Sequence, residues 1–201
     1  MTVDDAALER LVEAARDGDS EAFGRLFDHF HGPVYRYIVS RVQRPADAED
    51  LTQLVFVKVL EALPRYESRG VPFGGWLFRL ARNAVIDFIR TRHEHTELDM
   101  VAERPDGDAG PDEVAVTRED IGAVGAALAA LTDEQREAIA LRFFSGLSAR
   151  EAAEAMGKQE GTIRGLQFRA IAALRRELGI EPGPEVAAPP AAKRIPGPGT
   201  T

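Results

Sequence analysis

The stretch AREAAEAMGKQEGTIRGLQF, residues 149–168, decides the fold of the C-terminal part of this chain. Two helices that cross closely need a small residue where they meet, and Ala153 provides one. Gly157, four residues later, tolerates the positive φ that a tight turn requires. Ile163 lies six residues further on, where the second helix needs a buried branched side chain, and Leu166 follows it. This spacing predicts a helix-turn-helix, with an ordinary helical hairpin as the alternative.

The second helix of this motif carries side chains suited to reading DNA. Arginine can bond to two acceptors of guanine, and phenylalanine can pack against the methyl group of thymine. We expect base contacts from Arg164, whereas Arg169 suits bases or phosphates, and Arg175 and Arg176 are better placed for phosphates. A solvated surface charge is the alternative for each arginine. The candidate DNA-binding residues of the motif are Lys158, Gln159, Thr162, Arg164, Gln167, Phe168 and Arg169.

Two of these residues depart from the usual pattern of the motif. Lys158 occupies a turn position that is often apolar, and Gln159 stands where Ser, Thr or Asp would cap the second helix. The weaker cap is expected to cost about 1 kcal/mol. Both side chains could instead place hydrogen-bond donors beside phosphate.

Composition places the chain among soluble globular proteins. Its 201 residues, 44% hydrophobic and 29% charged, are enough for one domain or two small ones. The absence of cysteine excludes a disulfide framework, a zinc-thiolate site and a thiol nucleophile. No apolar run approaches the roughly 20 residues of a membrane helix, so we expect no membrane insertion. The N-terminal stretch MTVDDAALERL is acidic and amphipathic, unlike a signal peptide, and a reducing cytoplasm fits this composition.

Charge is distributed unevenly along the chain, whose formal net charge is −8. Residues 94–120 carry 10 acidic and 2 basic side chains, which alone equal that excess. Residues 69–93 carry 5 basic side chains and 1 acidic one, and residues 121–201 carry 10 basic and 9 acidic. Two locally basic regions are therefore separated by an acidic connector, and the net charge is no argument against a polyanionic partner.

Apolar residues recur at helical spacing along most of the chain, and no segment shows the alternation of a strand. Between them, residues 96–120 are rich in Pro, Gly and Asp and predict a flexible acidic linker. Residues 180–201 predict a disordered Pro/Gly-rich tail. The expected fold is all-α, with helical domains at 1–95 and 121–179. The predicted helices span 6–15, from Ser20, Pro33 to Val42, 46–63, 76–92, 121–131, 133–144, 149–156 and 161–178.

Four blocks together resemble a known family. In chain order they read DAEDLTQLVFVKVLEAL, FGGWLFRLARNAVIDFIR, LTDEQREAIALRFFSGLSAREAAEAMG and GTIRGLQFRAIAALRREL. Over about residues 5–178 the chain is similar to bacterial sigma factors, most closely to the extracytoplasmic-function (ECF) group. The resemblance implies a factor that binds core RNA polymerase, directs it to specific promoters and promotes DNA melting. Within the family the N-terminal domain binds the −10 element and the C-terminal domain the −35 element.

The resemblance also implies roles for residues of the N-terminal domain. The polymerase-binding residues would be Asp47, Asp50, Gln53 and Phe56, although Leu54 stands where the family commonly has Glu. Melted DNA would be held by flat side chains, amides and arginines. Phe73 and Trp76 are ambiguous, because both could belong to the core. The candidate −10 and melting residues are Phe73, Trp76, Arg79, Arg82, Asn83 and Arg90, with Arg92 adding to the positive face.

Partners follow from the same resemblance. They are core RNA polymerase, through its β′ clamp helices and β flap, promoter DNA and an anti-sigma factor. We expect no cofactor, metal or small-molecule substrate. The acidic linker either mimics nucleic acid within the polymerase or is a solvated spacer. Gly165 and Leu166 replace the Ser and Arg of many relatives, so promoter preference could differ.

Two other functions fit the sequence less well. For an enzyme, the chain offers no Gly-rich phosphate loop and no nucleophile elbow. His29 and His31 are two residues apart and would not share a helix face, and His93-Glu94-His95 could bind a metal only by chance. A stand-alone helix-turn-helix transcriptional regulator would explain the C-terminal half but not the N-terminal blocks. Such a regulator should bind duplex DNA without polymerase.

Overall fold

The computed structural model describes residues 5–42, 44–68, 70, 72–98 and 127–180. The described residues form helices and contain no strand, which confirms the all-α prediction. The predicted linker, the tail and most of the helix expected at 121–131 lie outside the described residues, and the domain boundaries stay predictions. The helices are α1 (Asp5–Arg16), α2 (Ser20–Val39), α3 (Pro45–Ala62), α4 (Phe73–Leu98), α5 (Asp133–Ile139), α6 (Ala149–Met156) and α7 (Glu160–Glu177).

Helix α2 is longer than its sequence suggests. A new helix was expected at Pro33, and this expectation is wrong, because α2 continues through Pro33 without a break. Phe30, Val34 and Tyr37 are all buried on the same face of α2. Burial of this continuous apolar face outweighs the single backbone hydrogen bond that proline cannot donate.

Two other helices differ from prediction at their ends. Helix α4 begins at Phe73, three residues before the predicted start at Trp76. The segment expected as one helix to Phe144 is regular only to Ile139 and then forms a π-helical turn, Ala140–Phe144. The turn widens the helix just before the motif begins.

The helix-turn-helix is confirmed in the structure. Ser148 caps α6 by accepting a hydrogen bond from the backbone N–H of Glu151, whose carboxylate accepts one from the N–H of Ser148 at 2.8 Å. Gly157 ends α6 with φ +63°, as the predicted turn requires. Ala153 and Ile163 are buried where the two helices cross. Helix α7 starts without a side-chain cap from Gln159, as its sequence indicated.

One hydrophobic core runs through helices of both halves of the chain. Tyr37 and Phe78 are fully buried in the N-terminal half, and their rings meet edge to face at 5.8 Å. The same core includes Leu141, Ile163 and Leu166 of the C-terminal half. Helix α6 packs against α4, so the helix-turn-helix lies directly on the N-terminal helices.

Replacing Gly157 with alanine is expected to destabilise the helix-turn-helix by about 1 kcal/mol. The cost arises because a Cβ atom at positive φ meets the adjacent backbone. Gly24→Ala is the matched control, since Gly24 lies within α2 and an added Cβ there meets nothing within 4 Å. That control should stabilise the protein by up to about 1 kcal/mol. Urea unfolding of both variants measures the difference, and a Gly157→Ala variant as stable as the parent would contradict the turn geometry.

Candidate nucleic-acid interface

Helix α4 presents the arginines and the amide expected to hold melted DNA. Asn83 and Arg90 are exposed, and Arg90 forms an ion pair with Asp87 one turn away at 3.4 Å. Arg79 and Arg82 instead turn toward the C-terminal half. Arg79 forms an ion pair with Glu154 of α6 at 3.0 Å, and the Nε of Arg82 lies 3.7 Å from the carboxylate of Glu137.

The two ambiguous aromatic residues lie in an aromatic cluster at the start of α4. Phe73 is buried, and its ring centroid lies 5.3 Å from that of Trp76 and 5.5 Å from those of Phe30 and Tyr66. Trp76 is half-buried and lies 4.8 Å from Tyr66. Burial raises the pKa of the Tyr66 phenol, which a hydrogen bond with Ser68 partly offsets. Phe73 therefore belongs to the hydrophobic core, whereas part of the Trp76 side chain remains exposed.

The recognition helix α7 exposes the side chains that sequence predicted to read bases. Arg164 is exposed and forms an ion pair with Glu160 one turn earlier at 2.5 Å. Phe168 is 40% exposed, so part of its ring is available for contact. Gln167 is half-buried, and its carbonyl accepts a hydrogen bond from the Nε of Arg142 at 3.1 Å. The exposed residues of this face are Gln159, Thr162, Arg164, Phe168 and Arg169.

Lys158, in the turn of the motif, is held by an acidic neighbour. Its ammonium forms an ion pair with Glu134 of α5 at 2.7 Å. This hydrogen bond and the charge of Lys158 lower the pKa of the Glu134 carboxyl. The pair fixes Lys158 at the edge of the recognition helix.

Helix α3 carries the residues expected to bind polymerase. Asp50 and Gln53 are exposed, and Asp47 forms an ion pair with Arg92 at 2.6 Å. Phe56 is buried and packs against Phe27 with ring centroids 4.6 Å apart.

Sequence reasoning missed an exposed apolar stripe on the same helix. Val57 is 52% exposed and Leu60 is 55% exposed, and Leu54 lies beside them. The signal was present in the sequence as apolar residues at i, i+3 and i+6, but only Leu54 drew attention, as a replacement for the Glu common in the family.

Sequence reasoning also missed Glu137, one of the two buried polar or charged residues among those described. Its carboxylate accepts a hydrogen bond from the Tyr37 hydroxyl at 2.6 Å and lies 3.2 Å from the guanidinium of Arg41. Burial raises the pKa of Tyr37 well above its usual value, and the nearby charge of Glu137 raises it further. No sequence signal separates Glu137 from a solvated helix residue, because its partners lie about a hundred positions away.

No group of three or more potential metal ligands occurs among the described residues. The side chains of His93, Glu94 and His95 lie outside those described. Within the described part of the chain, no helix is long and apolar enough to cross a membrane.

Comparisons with known proteins agree with this arrangement. The family model "Sigma-70 region 2" matches residues 26–94, and "Sigma-70, region 4" matches residues 127–176. The chain is 39% identical to the ECF RNA polymerase sigma factor BldN of Streptomyces coelicolor over 87% of this chain and 67% of that protein. It is also 39% identical to the ECF RNA polymerase sigma factor ShbA of Streptomyces griseus over 82% of this chain and 92% of that protein.

The chain belongs to the ECF group of sigma factors. A solved structure of the sigma factor RpoE of Bartonella quintana, in complex with the anti-sigma factor NepR, is 26% identical. It covers 80% of this chain and 98% of that one with a TM-score of 0.65. As a sigma factor, this protein directs RNA polymerase to promoters. Sigma factors are in general initiation factors without enzymatic activity.

Arg164→Ala is expected to relax the preference for one base pair of the −35 element by about 1 to 3 kcal/mol, because a guanidinium contact to a base edge would be lost. Binding of the polymerase-bound factor to a set of single-base-pair promoter variants measures this preference. Arg176→Ala is the matched control, since Arg176 is exposed near the end of α7. The control should weaken all promoters alike, and equal profiles for the two variants would argue against base reading by Arg164.

Proposed function

We propose that three separate faces of this sigma factor divide the work of initiation. Helix α7 reads the −35 element, α4 holds the melted −10 region, and α3 docks on core RNA polymerase. The observation that carries the proposal is the presence, on one chain, of an exposed recognition helix and of a distinct exposed apolar stripe on α3. A stand-alone regulator needs the first feature and would use the second only for dimerisation.

The face of α3 has the character of a protein-binding surface. Leu54, Val57 and Leu60 form an exposed apolar stripe, and Asp50 and Gln53 flank it with polar groups. Apolar side chains surrounded by a polar rim are typical of docking sites. We propose that this face binds the β′ clamp helices, with Phe56 supporting it from below through Phe27. Leu54, which replaces the Glu common in the family, extends the apolar area.

Helix α4 would act by binding the melted state more tightly than the duplex. Asn83 offers an amide to a base that has left the stack, and arginines neutralise the backbone. Trp76 offers its exposed part for stacking. The residues proposed for this role are Trp76, Arg79, Arg82, Asn83 and Arg90, whereas the buried Phe73 supports Trp76 from the core. No covalent step is involved, so the chain would not act as an enzyme.

The recognition helix would read the −35 element in the major groove. Arg164 and Phe168 are exposed on the leading part of α7, as base readout requires. Lys158, Gln159 and Thr162 lie at its N-terminal edge, close to where a phosphate would lie. Gln167 is partly engaged by Arg142 and is proposed to orient that arginine as well as to contact DNA.

Regulation would come from an anti-sigma factor in the cytoplasm. The Bartonella quintana relative was solved with such a partner. A partner that covers α3 or α4 would block polymerase or DNA, with no cofactor and no small-molecule substrate required. The C-terminal helices are also proposed to contact the β flap of polymerase.

Transcription in a purified system tests the proposal. The chain is mixed with core RNA polymerase and a library of promoter fragments, and the run-off transcripts are sequenced. The expected result is initiation from a shared two-part motif, with loss of initiation in the double variant Arg164→Ala, Arg169→Ala. Absence of transcription, together with tight duplex binding by the chain alone, would instead support a stand-alone regulator.

Val57→Asp is expected to weaken binding to core polymerase about tenfold or more, because a charge would be buried in the apolar stripe. Ala6→Asp is the matched control, since Ala6 is exposed on α1 and gains the same charge. Fluorescence anisotropy of the labelled chain with core polymerase measures both affinities. Equal affinities would place the docking surface elsewhere.

A further inference from the structure

Arg142 lies in the π-helical turn Ala140–Phe144 and contacts the recognition helix α7. The turn closes with a hydrogen bond from the N–H of Ser145 to the carbonyl of Ala140 at 3.2 Å, one residue further back than in an α-helix. Residues 137–141 are all buried, and Arg142 is the first side chain after them that reaches the surface. Such widened turns are frequent at functional sites.

The guanidinium of Arg142 joins two elements of the helix-turn-helix. Its Nε donates to the side-chain carbonyl of Gln167 in α7 at 3.1 Å. One of its terminal nitrogens donates to the backbone carbonyl of Leu147, next to Ser148, which caps α6. Because Arg142 is held by the backbone before α6, it can hold the Gln167 side chain in one orientation.

This hydrogen bond decides which atom of the Gln167 amide is left for DNA. Arginine has only donors, so the atom that faces Arg142 has to be the amide oxygen. Within the described part of the chain, no residue accepts a hydrogen bond from the amide nitrogen of Gln167. That nitrogen is also absent from the buried polar atoms that lack a partner, so it reaches solvent. Gln167 therefore presents N–H donors.

Gln167 lies on the face of α7 that is proposed to read bases. It follows Arg164 by three residues and directly precedes Phe168, and both of these side chains are exposed. A free glutamine pairs best with adenine, because its oxygen accepts from the N6 amino group while its nitrogen donates to N7. In Gln167 a second donor could reach the oxygen only beside the Arg142 guanidinium, whose positive charge opposes it.

An amide that offers only donors suits a different set of bases. Guanine and thymine carry a keto oxygen in the major groove, at O6 and O4, and this oxygen accepts a hydrogen bond. Adenine and cytosine carry an amino group at the corresponding place, which would face the Gln167 N–H with another donor. The bond from Arg142 therefore turns the usual preference of glutamine away from adenine.

We infer that Arg142 is a positioning residue that makes Gln167 a reader of keto bases in the −35 element. The base that Gln167 contacts is guanine or thymine on the strand that α7 faces at that point. The inference rests on the proposed −35 role of α7. The hydrogen bond between the two side chains thus acts in both directions, because each fixes the orientation of the other.

Base preference in the complex with polymerase tests the inference. The chain and core RNA polymerase are mixed with promoter duplexes whose −35 region is randomised, and the bound duplexes are sequenced. Gln167→Ala locates the contacted base pair, as the one position whose preference is lost. At that position guanine and thymine should be the two best bases on one strand for the parent chain, favoured over adenine and cytosine by about tenfold.

Two substitutions should change this preference in different ways. Gln167→Glu keeps an acceptor for Arg142 but replaces the free N–H groups with an oxygen. The favoured bases on the same strand should therefore change to adenine and cytosine, whose amino groups donate. Arg142→Met keeps much of the side-chain volume and releases the amide oxygen, so adenine should become the best base on that strand.

Two control variants separate this role from charge and from stability. Ala172→Glu adds the same negative charge at an exposed position of α7. Arg136→Met removes another half-buried arginine of the same half, whose guanidinium donates to the carbonyls of Leu128 and Leu131. Both controls should keep the parent preference at every position, even where total binding falls.

Each other outcome contradicts the inference. If Gln167→Ala loses no preference, or if the two best parent bases are not guanine and thymine on either strand, Gln167 is not a keto reader. If Arg142→Met keeps the parent preference, or loses preference at all positions as a destabilised domain would, Arg142 has only a structural role. Urea unfolding checks that each variant folds. Gln167→Glu retains the contact with Arg142 and remains decisive if Arg142→Met does not fold.

The hydrogen bond can also be tested without DNA. In proton–nitrogen NMR spectra of the free chain, the Nε proton of Arg142 should exchange slowly with solvent, and this protection should be lost in Gln167→Ala. Equal exchange in the parent and in Gln167→Ala would remove the basis of the inference.

The result is separable from that of the transcription experiment. If the chain selects duplexes without polymerase and no promoter is transcribed, the proposed function is rejected, while the preference at the Gln167 position is still measured. Transcription from a two-part motif, with the parent preference unchanged in Gln167→Glu and Arg142→Met, would support the proposed function and overturn the inference.

Discussion

The buried carboxylate of Glu137 is the interaction on which the relative placement of the two halves depends. It accepts the Tyr37 hydroxyl hydrogen bond and faces the guanidinium groups of Arg41 and Arg82, all from the N-terminal half. A carboxylate buried without these partners would be strongly unfavourable, so the C-terminal half can bury it only against this surface. In the same arrangement of the two halves, Leu141 and Ile163 pack into the apolar core of the N-terminal helices.

This placement connects folding with function in one molecule. The side chains proposed to hold melted DNA lie on α4, and Arg79 among them pairs with Glu154 of the helix-turn-helix. The recognition face of α7 and the apolar stripe of α3 stay exposed in the same arrangement. The surfaces proposed for polymerase and for the −35 element are therefore exposed, whereas Arg79 and Arg82 of α4 pair with acids of the other half.

The helices and the motif could be predicted well because their signals are local. The small residue at Ala153, the turn at Gly157 and the buried Ile163 follow from spacing alone, and the structure confirms each. The helix break expected at Pro33 does not occur. Burial of Phe30, Val34 and Tyr37 on one face outweighs the helix-breaking preference of proline. The exposed stripe at Val57 was not predicted, and Phe56, expected on the docking face, is buried, since apolar spacing on one helix does not tell which face meets a neighbour.

The sequence by itself determined an all-helical chain, a helix-turn-helix in which Arg164 and Phe168 are exposed, and membership of the sigma family through ordered blocks. All of these depend on residues close together in the chain, on the helical spacing of apolar residues or on the order of sequence blocks. Only the tertiary structure decided that Glu137 would be buried, that Gly74 and Gly75 would lie under α6, and that Arg79 and Arg82 would pair with acids of the other half. These contacts join positions far apart in sequence, and their energies depend on burial that no local pattern encodes.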